Sequence, residues 1–199
     1  TPGITIMPLI TMDGSHHLNE VYFDDVRVPA RNMVGEENRG WYVSLMTMNF
    51  ERTSIGDFAG ARRDLEDLTG FCREMKRGGK TLLEDPKIRQ RLADLAVAVE
   101  VGRMMAYNVA WLQTQGDLPA DKASSVKVFA TELADRIAFT GCDIMGPYCQ
   151  LEYGSKWVKL RGGIADAYQH SLMHKIAGGA SEIQRTLIAT RGLGMPRSD

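Results

Sequence analysis

Glu51 is the residue of this 199-residue chain best suited to move a proton. On a helix it stands three residues after Met48 and four before Ile55, on the flank of an apolar stripe. Partial loss of water there would disfavour the charged form of a carboxylate, the condition under which such a group serves as a general base near neutral pH. The same position also suits a plain ion pair with Arg52 or an i±4 neighbour, or a side chain that snorkels to solvent.

A second segment offers different chemistry. Ile176-Ala177-Gly178-Gly179-Ala180-Ser181-Glu182-Ile183-Gln184-Arg185 runs a glycine pair into a helix start. Ser181 with Gln184 three residues on fits a capping box, and Glu182 falls in the first turn, where the helix dipole favours a carboxylate. Ile183, Leu187 and Ile188 mark one apolar face, and Gly192 with Pro196 closes the element. Backbone N–H groups behind Gly178 and Gly179 could receive an anionic or polar ligand group, although a capped surface helix would read the same way. His16 and His17 lie in a polar turn without a ligand cluster, and His170 and His174 share an i, i+4 spacing with no third ligand nearby, so no metal site is expected.

The elements that must position these residues follow from periodicity. Ile4-Thr5-Ile6, Leu9-Ile10-Thr11 and Asn19 to Pro29 read as short β-prone runs, too few for a free-standing sheet. After Asn38 the apolar period becomes helical. Trp41, Leu45, Met48, Ile55, Phe58, Leu65, Leu68, Cys72 and Met75 predict one long first helix ended by Gly78-Gly79. Asp85-Pro86 opens a second helix that stops at Gly116. Pro119 opens a third that Gly146-Pro147 breaks. Ile164 to Ile176 and Ser181 to Arg191 give a fourth and fifth. Short connections between long helices argue for an up-down bundle.

Composition sets outer bounds. With 24 basic and 25 acidic residues the net charge is −1, which gives no electrostatic footprint for nucleic acid. No apolar run reaches membrane-spanning length and no secretory signal opens the chain. Three cysteines without a CxxC pair predict free thiols in a reducing compartment. A soluble, cytoplasmic protein is expected.

The segment Gly178 to Gln184 resembles the C-terminal signature of acyl-CoA dehydrogenases. In that family an acid-Gly-Thr-Ser-Glu/Gln-Ile-Gln motif lies over the flavin, and its acid often supplies the catalytic base. Here Gly178 stands at the acid's position and Ala180 at the threonine's. Some members, isovaleryl-CoA dehydrogenase among them, carry the acid on a helix far earlier, where this chain has Asn49-Phe50-Glu51-Arg52. Asn19 to Pro29, followed by Asn32 to Trp41, resembles the junction of the family's middle β-domain with its C-terminal helical domain. The resemblance runs from Leu9 to Arg197 but covers only the last half of the family's usual length, so a truncated C-terminal portion is expected. Asp143 to Pro147 stands where many members carry Gln-x-x-Gly-Gly at the flavin pyrophosphate, with only Gly146 retained. The family's Arg-x-x-Phe-Gly flavin motif has no counterpart between Arg73 and Lys80.

The resemblance implies a mainly α, up-down helical bundle over residues 38–199, preceded by a β-domain remnant over 1–34. It implies FAD-dependent α,β-desaturation of an acyl-CoA thioester, with Glu51 as base. Arg52, Gly178 and Gly179 would lie by the substrate, and Ala180, Ser181, Glu182, Asp143 and Gly146 by the FAD. Implied partners are an electron-transfer flavoprotein or similar acceptor and further copies in a dimer of dimers, with neither nucleic acid nor membrane. A non-catalytic oligomerisation subunit, or a flavin oxidase or monooxygenase on the same scaffold, are the competing readings. The fragment alone is expected to be inactive.

Overall fold

The computed structural model of the chain describes residues 1–197 apart from Arg52 and Leu118. It divides into two compact units, Thr1–Met48 and Asn49–Asp199. In the first, β1 (Ile4–Leu9) pairs antiparallel with β2 (Leu18–Phe23), with Ile4 opposite Phe23 and Leu9 opposite Leu18. β1 takes in the first expected run and, through Pro8, only Leu9 of the second, while the run expected from Asn19 to Pro29 is strand only as far as Phe23; a two-stranded ribbon tolerates Pro8 because it consists only of edges. Gly3 has φ +87°, and a Cβ there would lie 2.2 Å from the carbonyl oxygen of Asp24. Only glycine fits, and its own carbonyl accepts the Asp24 N–H at 2.8 Å. Both strands are exposed along their whole length.

The expected long first helix is two helices, α1 (Gly40–Glu51) and α2 (Ile55–Glu74). The break falls at Ser54, whose φ of +52° is left-handed. A serine and a threonine at the junction favour local turns over helix continuation, which periodicity alone does not register. Phe58, Leu65, Leu68 and Cys72 of the predicted stripe are buried, whereas Trp41 and Ile55 are exposed.

Gly78-Gly79 does more than stop α2. With φ +60° and +83° the two glycines form the turn of a hairpin between β3 (Lys76–Arg77) and β4 (Lys80–Thr81). Two consecutive positive φ values are the geometry of a tight hairpin loop. Thr81 and Glu84 then form a capping box, and Asp85 caps α3 (Pro86–Thr114) by accepting the Lys87 N–H at 2.8 Å. Proline at the first helical position costs no hydrogen bond. The 29 residues of α3 extend about 43 Å at 1.5 Å per residue.

α4 (Ala120–Met145) is the central element and packs against α2, α3, α5 (Gly163–His174) and α6 (Ser181–Leu187). Leu68, Val109, Val126, Leu133 and Ile137 form the deepest part of the core. Gly102 lets α3 approach α2, since a Cβ there would stand 2.0 Å from the Phe58 ring. The last expected helix, Ser181 to Arg191, is α6 followed by a π-turn over Ile188–Gly192.

The expectation of three free thiols is corrected. Cys142, in the last turn of α4, and Cys149, in the 3₁₀ turn Gly146–Gln150, are joined as a disulfide with Cα atoms 5.1 Å apart. The chain reverses at Gly146, so residues 7 apart in sequence come within bridging distance without a CxxC spacing. Cys72 alone is free, and burial pushes its thiol up to about 11. The native protein at about pH 8 should therefore react with no thiol reagent on the minute scale, since thiolate is the reactive form. Unfolded without reductant it should show one thiol, and after reduction three. Three thiols before reduction would dismiss the disulfide.

Candidate functional site

The glycine segment is a tightly tied loop between α5 and α6. The N–H groups of Ile176 and Ala177 both reach the Met173 carbonyl at 2.9 Å, and the Ser181 N–H closes back onto the Lys175 carbonyl at 3.0 Å. Between them Gly178 and Gly179 take φ +66° and +103°. A Cβ at Gly178 would meet only Cε of Lys127, at 4.0 Å, so the position has room. Its left-handed backbone would nonetheless strain any L side chain by about 1–2 kcal/mol. Gly178 is exposed, Gly179 and Ala180 are half-buried, and Ser181 is buried.

α6 does not present the face its sequence predicts. Ser181 and Gln184 point inward, Leu187 and Ile188 are half-buried, and Ile183 is exposed. The expected capping box is absent as well: the N-cap is Ala180, and the Ser181 hydroxyl lies 3.5 Å from the Lys175 carbonyl instead. The reason lies across the interface, where α4 offers a polar face. Ser124, Lys127 and Thr131 are all buried on it, and Asp135 continues the i, i+3, i+4 series. Asp135 accepts from Lys175 at 3.1 Å and from the Ser171 hydroxyl at 3.0 Å. Glu132 pairs with Arg185. Three buried side-chain atoms, Ser124 Oγ and both amide atoms of Gln184, have no hydrogen-bond partner among the described residues.

Lys127 escaped the sequence analysis although it is the most unusual residue of this region. It is 5% exposed, and its Nζ donates to the His174 carbonyl at 3.1 Å. Flanked by Val126 and Val128, it lies inside an apolar-looking run; only its spacing from Ser124 and Thr131 marks a second, polar stripe.

Glu51 ends α1 and is exposed in this chain, so the expected desolvation of its carboxylate is not met here. Its neighbour Phe50 is exposed as well. Arg52, the candidate substrate residue beside it, lies outside the described residues. Asp143 is exposed and paired with Arg91. With Gly146 it lines an open cavity of 430 Å³ that Cys149, Gln150, Tyr168 and Gln169 also border. Gly146 has φ +57° and nothing within 4 Å of a Cβ position. Glu182 is exposed at the start of α6. Among the sequence candidates, Gly178, Gly179, Ala180, Ser181 and Glu182 share the loop, whereas Asp143 and Gly146 share the cavity at the far end of α4.

Residues 38–193 match the family model described as the acyl-CoA dehydrogenase C-terminal domain. The chain belongs to the acyl-CoA dehydrogenase family. It is 32% identical to the acyl-CoA dehydrogenase FadE26 of Mycobacterium tuberculosis, over 99% of this chain and 50% of that protein. Among solved structures it is similar to the Tcur3481-Tcur3483 steroid ACAD, with 30% identity, a TM-score of 0.87, and coverage of 99% of this chain and 50% of that one. It is likewise similar to the ChsE4-ChsE5 complex from Mycobacterium tuberculosis, with 32% identity, a TM-score of 0.85, and coverage of 98% and 51%. The chain spans about half the length of the curated relatives it matches. Its mainly helical architecture after a short two-stranded sheet agrees with the expected fold class, and no described helix is long and apolar enough to cross a membrane.

His174, at the end of α5, adds a pH response next to the loop. Its ring lies edge-on to that of His170, with centroids 4.8 Å apart. Burial holds its pKa below the ordinary 6.5 and His170 pushes the same way; Asp57 pulls upward, and Lys127 adds a smaller downward push. A depressed folded-state pKa means that the unfolded chain takes up the proton first. Stability from this group is therefore complete above 6.5 and is lost as pH falls below it. The melting temperature should drop between about pH 7.5 and pH 5.5, and less so in His174→Gln. Equal drops in the two proteins would remove His174 as a cause.

Proposed function

We propose that this chain is the C-terminal helical part of an FAD-dependent acyl-CoA dehydrogenase that desaturates the Cα–Cβ bond of an acyl-CoA thioester. The observation that carries this reading is the glycine loop. By sequence resemblance it stands where the family carries its flavin-side motif; it lies within the residues matched to the domain, and its positive φ values at 178 and 179 favour glycine and so a side-chain-free backbone there. Space at Gly178 leaves room for a thioester. Ala180, Ser181 and Glu182 are the loop residues suited to hold the flavin. Asp143 and Gly146 border the open cavity at the far end of α4, whose lining among the described residues offers a carboxylate and no basic side chain; the open space at Gly146 would admit a flavin through backbone contact rather than through a charge match to its phosphates.

Bound FAD supplies a hydride acceptor for the β-carbon. Glu51 supplies the base: its carboxylate takes the α-proton as the C–H electron pair forms the new double bond. Arg52 lies next to the substrate in this reading. Phe50, next to Glu51, is exposed and offers apolar surface to a bound acyl group. An electron-transfer flavoprotein or similar acceptor then reoxidises the flavin, and the working form is an oligomer.

A heteromeric arrangement is the second reading, favoured by the absence of an acid at Gly178 and by relatives solved as the ChsE4-ChsE5 complex and the Tcur3481-Tcur3483 steroid ACAD. In it this chain serves a complex whose base comes from another subunit, and the substrate class includes ring-bearing acyl groups.

Two outcomes test the proposal. The 199-residue chain purified alone should be helical and self-associating, without stoichiometric FAD or desaturase activity, because apolar residues such as Val97, Val101, Met104 and Trp111 lie exposed along α3. A yellow monomer would contradict this. In the flavin-loaded protein that carries this chain, Glu51→Gln should keep its FAD yet lose substrate-dependent flavin bleaching by about 10²–10⁴-fold, the usual contribution of a general base. Near-normal bleaching would place the base elsewhere and favour the heteromeric reading.

A further inference from the structure

We propose that Lys127 is a positioning residue for the glycine loop: its buried ammonium caps the C-terminus of α5 and thereby fixes where Gly178 and Gly179 stand. The inference rests on the functional reading of that loop given above, but its geometry is independent of it. A helix ends with carbonyls that no N–H of its own reaches, and they carry the negative end of the dipole. The His174 carbonyl belongs to the last turn of α5, just before the glycines. Lys127 answers it from α4 with a charged donor at 3.1 Å. A lysine at 5% exposure is costly to bury unless its charge is used, and the bond to the His174 carbonyl is one use of it.

The reach of Lys127 is what makes it a positioning group rather than ordinary packing. Its Cε lies 4.0 Å from where a Gly178 side chain would begin, so the ammonium and its stem form the floor beneath the loop. One residue on from His174, Lys175 is held twice, by Asp135 through its side chain and by the Ser181 N–H through its carbonyl. The two adjacent carbonyls at the α5 end are thus tied to α4 and to the start of α6. Releasing the first lets the loop swing about the second. A displacement on the order of 1 Å at such a loop costs up to about 10²-fold in rate when the loop orients the reacting groups.

The substitution Lys127→Met keeps the length and fills the same space while removing the donor; Lys127→Arg restores a cation that can reach a carbonyl. Amide hydrogen exchange on the 199-residue chain reads the loop without any cofactor. Lys127→Met should speed exchange of the Ile176, Ala177 and Ser181 amides by about tenfold, with the α2 and α3 cores unchanged and Lys127→Arg close to the parent. In the flavin-loaded protein, Lys127→Met should lower kcat per bound flavin by about 10–10²-fold while KM and flavin content hold, again with recovery in Lys127→Arg. Uniformly faster exchange across the chain, or flavin loss at constant kcat per flavin, would make Lys127 merely structural and overturn the proposal. Unchanged exchange at the three loop amides would overturn it as well. If the parent protein itself fails to bleach with any acyl-CoA, the functional reading falls, whereas the exchange result still decides the role of Lys127.

Discussion

The arrangement depends on a polar face set into an otherwise apolar helix. α4 contacts most of the helical unit, and on the side that receives α5 and α6 it carries Ser124, Lys127, Thr131 and Asp135 rather than leucines. An apolar interface of the same size would hold the two helices about as firmly but would tolerate sliding. Charge-assisted bonds at fixed positions do not, since a shift of one residue would leave a buried ammonium and a carboxylate without partners. The register of the α5–loop–α6 segment follows from that constraint, and with it the location of the glycines.

Lys127 and His174 couple through the same end of α5. The backbone carbonyl of His174 accepts from the ammonium, while burial first, then His170 and least of all Lys127 hold the pKa of its imidazole below the ordinary value against the pull of Asp57. Protonation of the ring therefore works against the folded state at this helix end as pH falls. Under the proposed function stiffness at this helix end would matter, because orientation rather than affinity is what a displaced backbone forfeits.

Much of this was legible in the sequence, and the exceptions have physical causes. Asp85-Pro86 and Gly146-Pro147 marked their helix ends because caps and prolines act locally. The break between α1 and α2 was not legible: the apolar spacing continues across Ser54, and only the backbone angle there reveals the turn. Gly78-Gly79 in sequence signals only a helix stop, whereas in the fold it is the turn of a hairpin, since two glycines permit both. The inward face of α6 was misassigned because Ser181 and Gln184 are buried by a partner helix whose polarity cannot be inferred from α6 itself. Lys127 and the disulfide between Cys142 and Cys149 were missed for the same reason: each depends on what another segment brings close. Family resemblance located the loop, and geometry supplied its supports.

In the proposed function the acyl thioester lies against the glycine loop and the end of α1. Hydrogen exchange of the flavin-loaded protein, with and without a non-reacting thioether analogue of an acyl-CoA, can decide this. Exchange should slow at residues 176–181 and around Glu51, with no change in the groove between α2 and α3 near Arg62 and Arg73. Protection confined to that groove, or none at the loop, would contradict it.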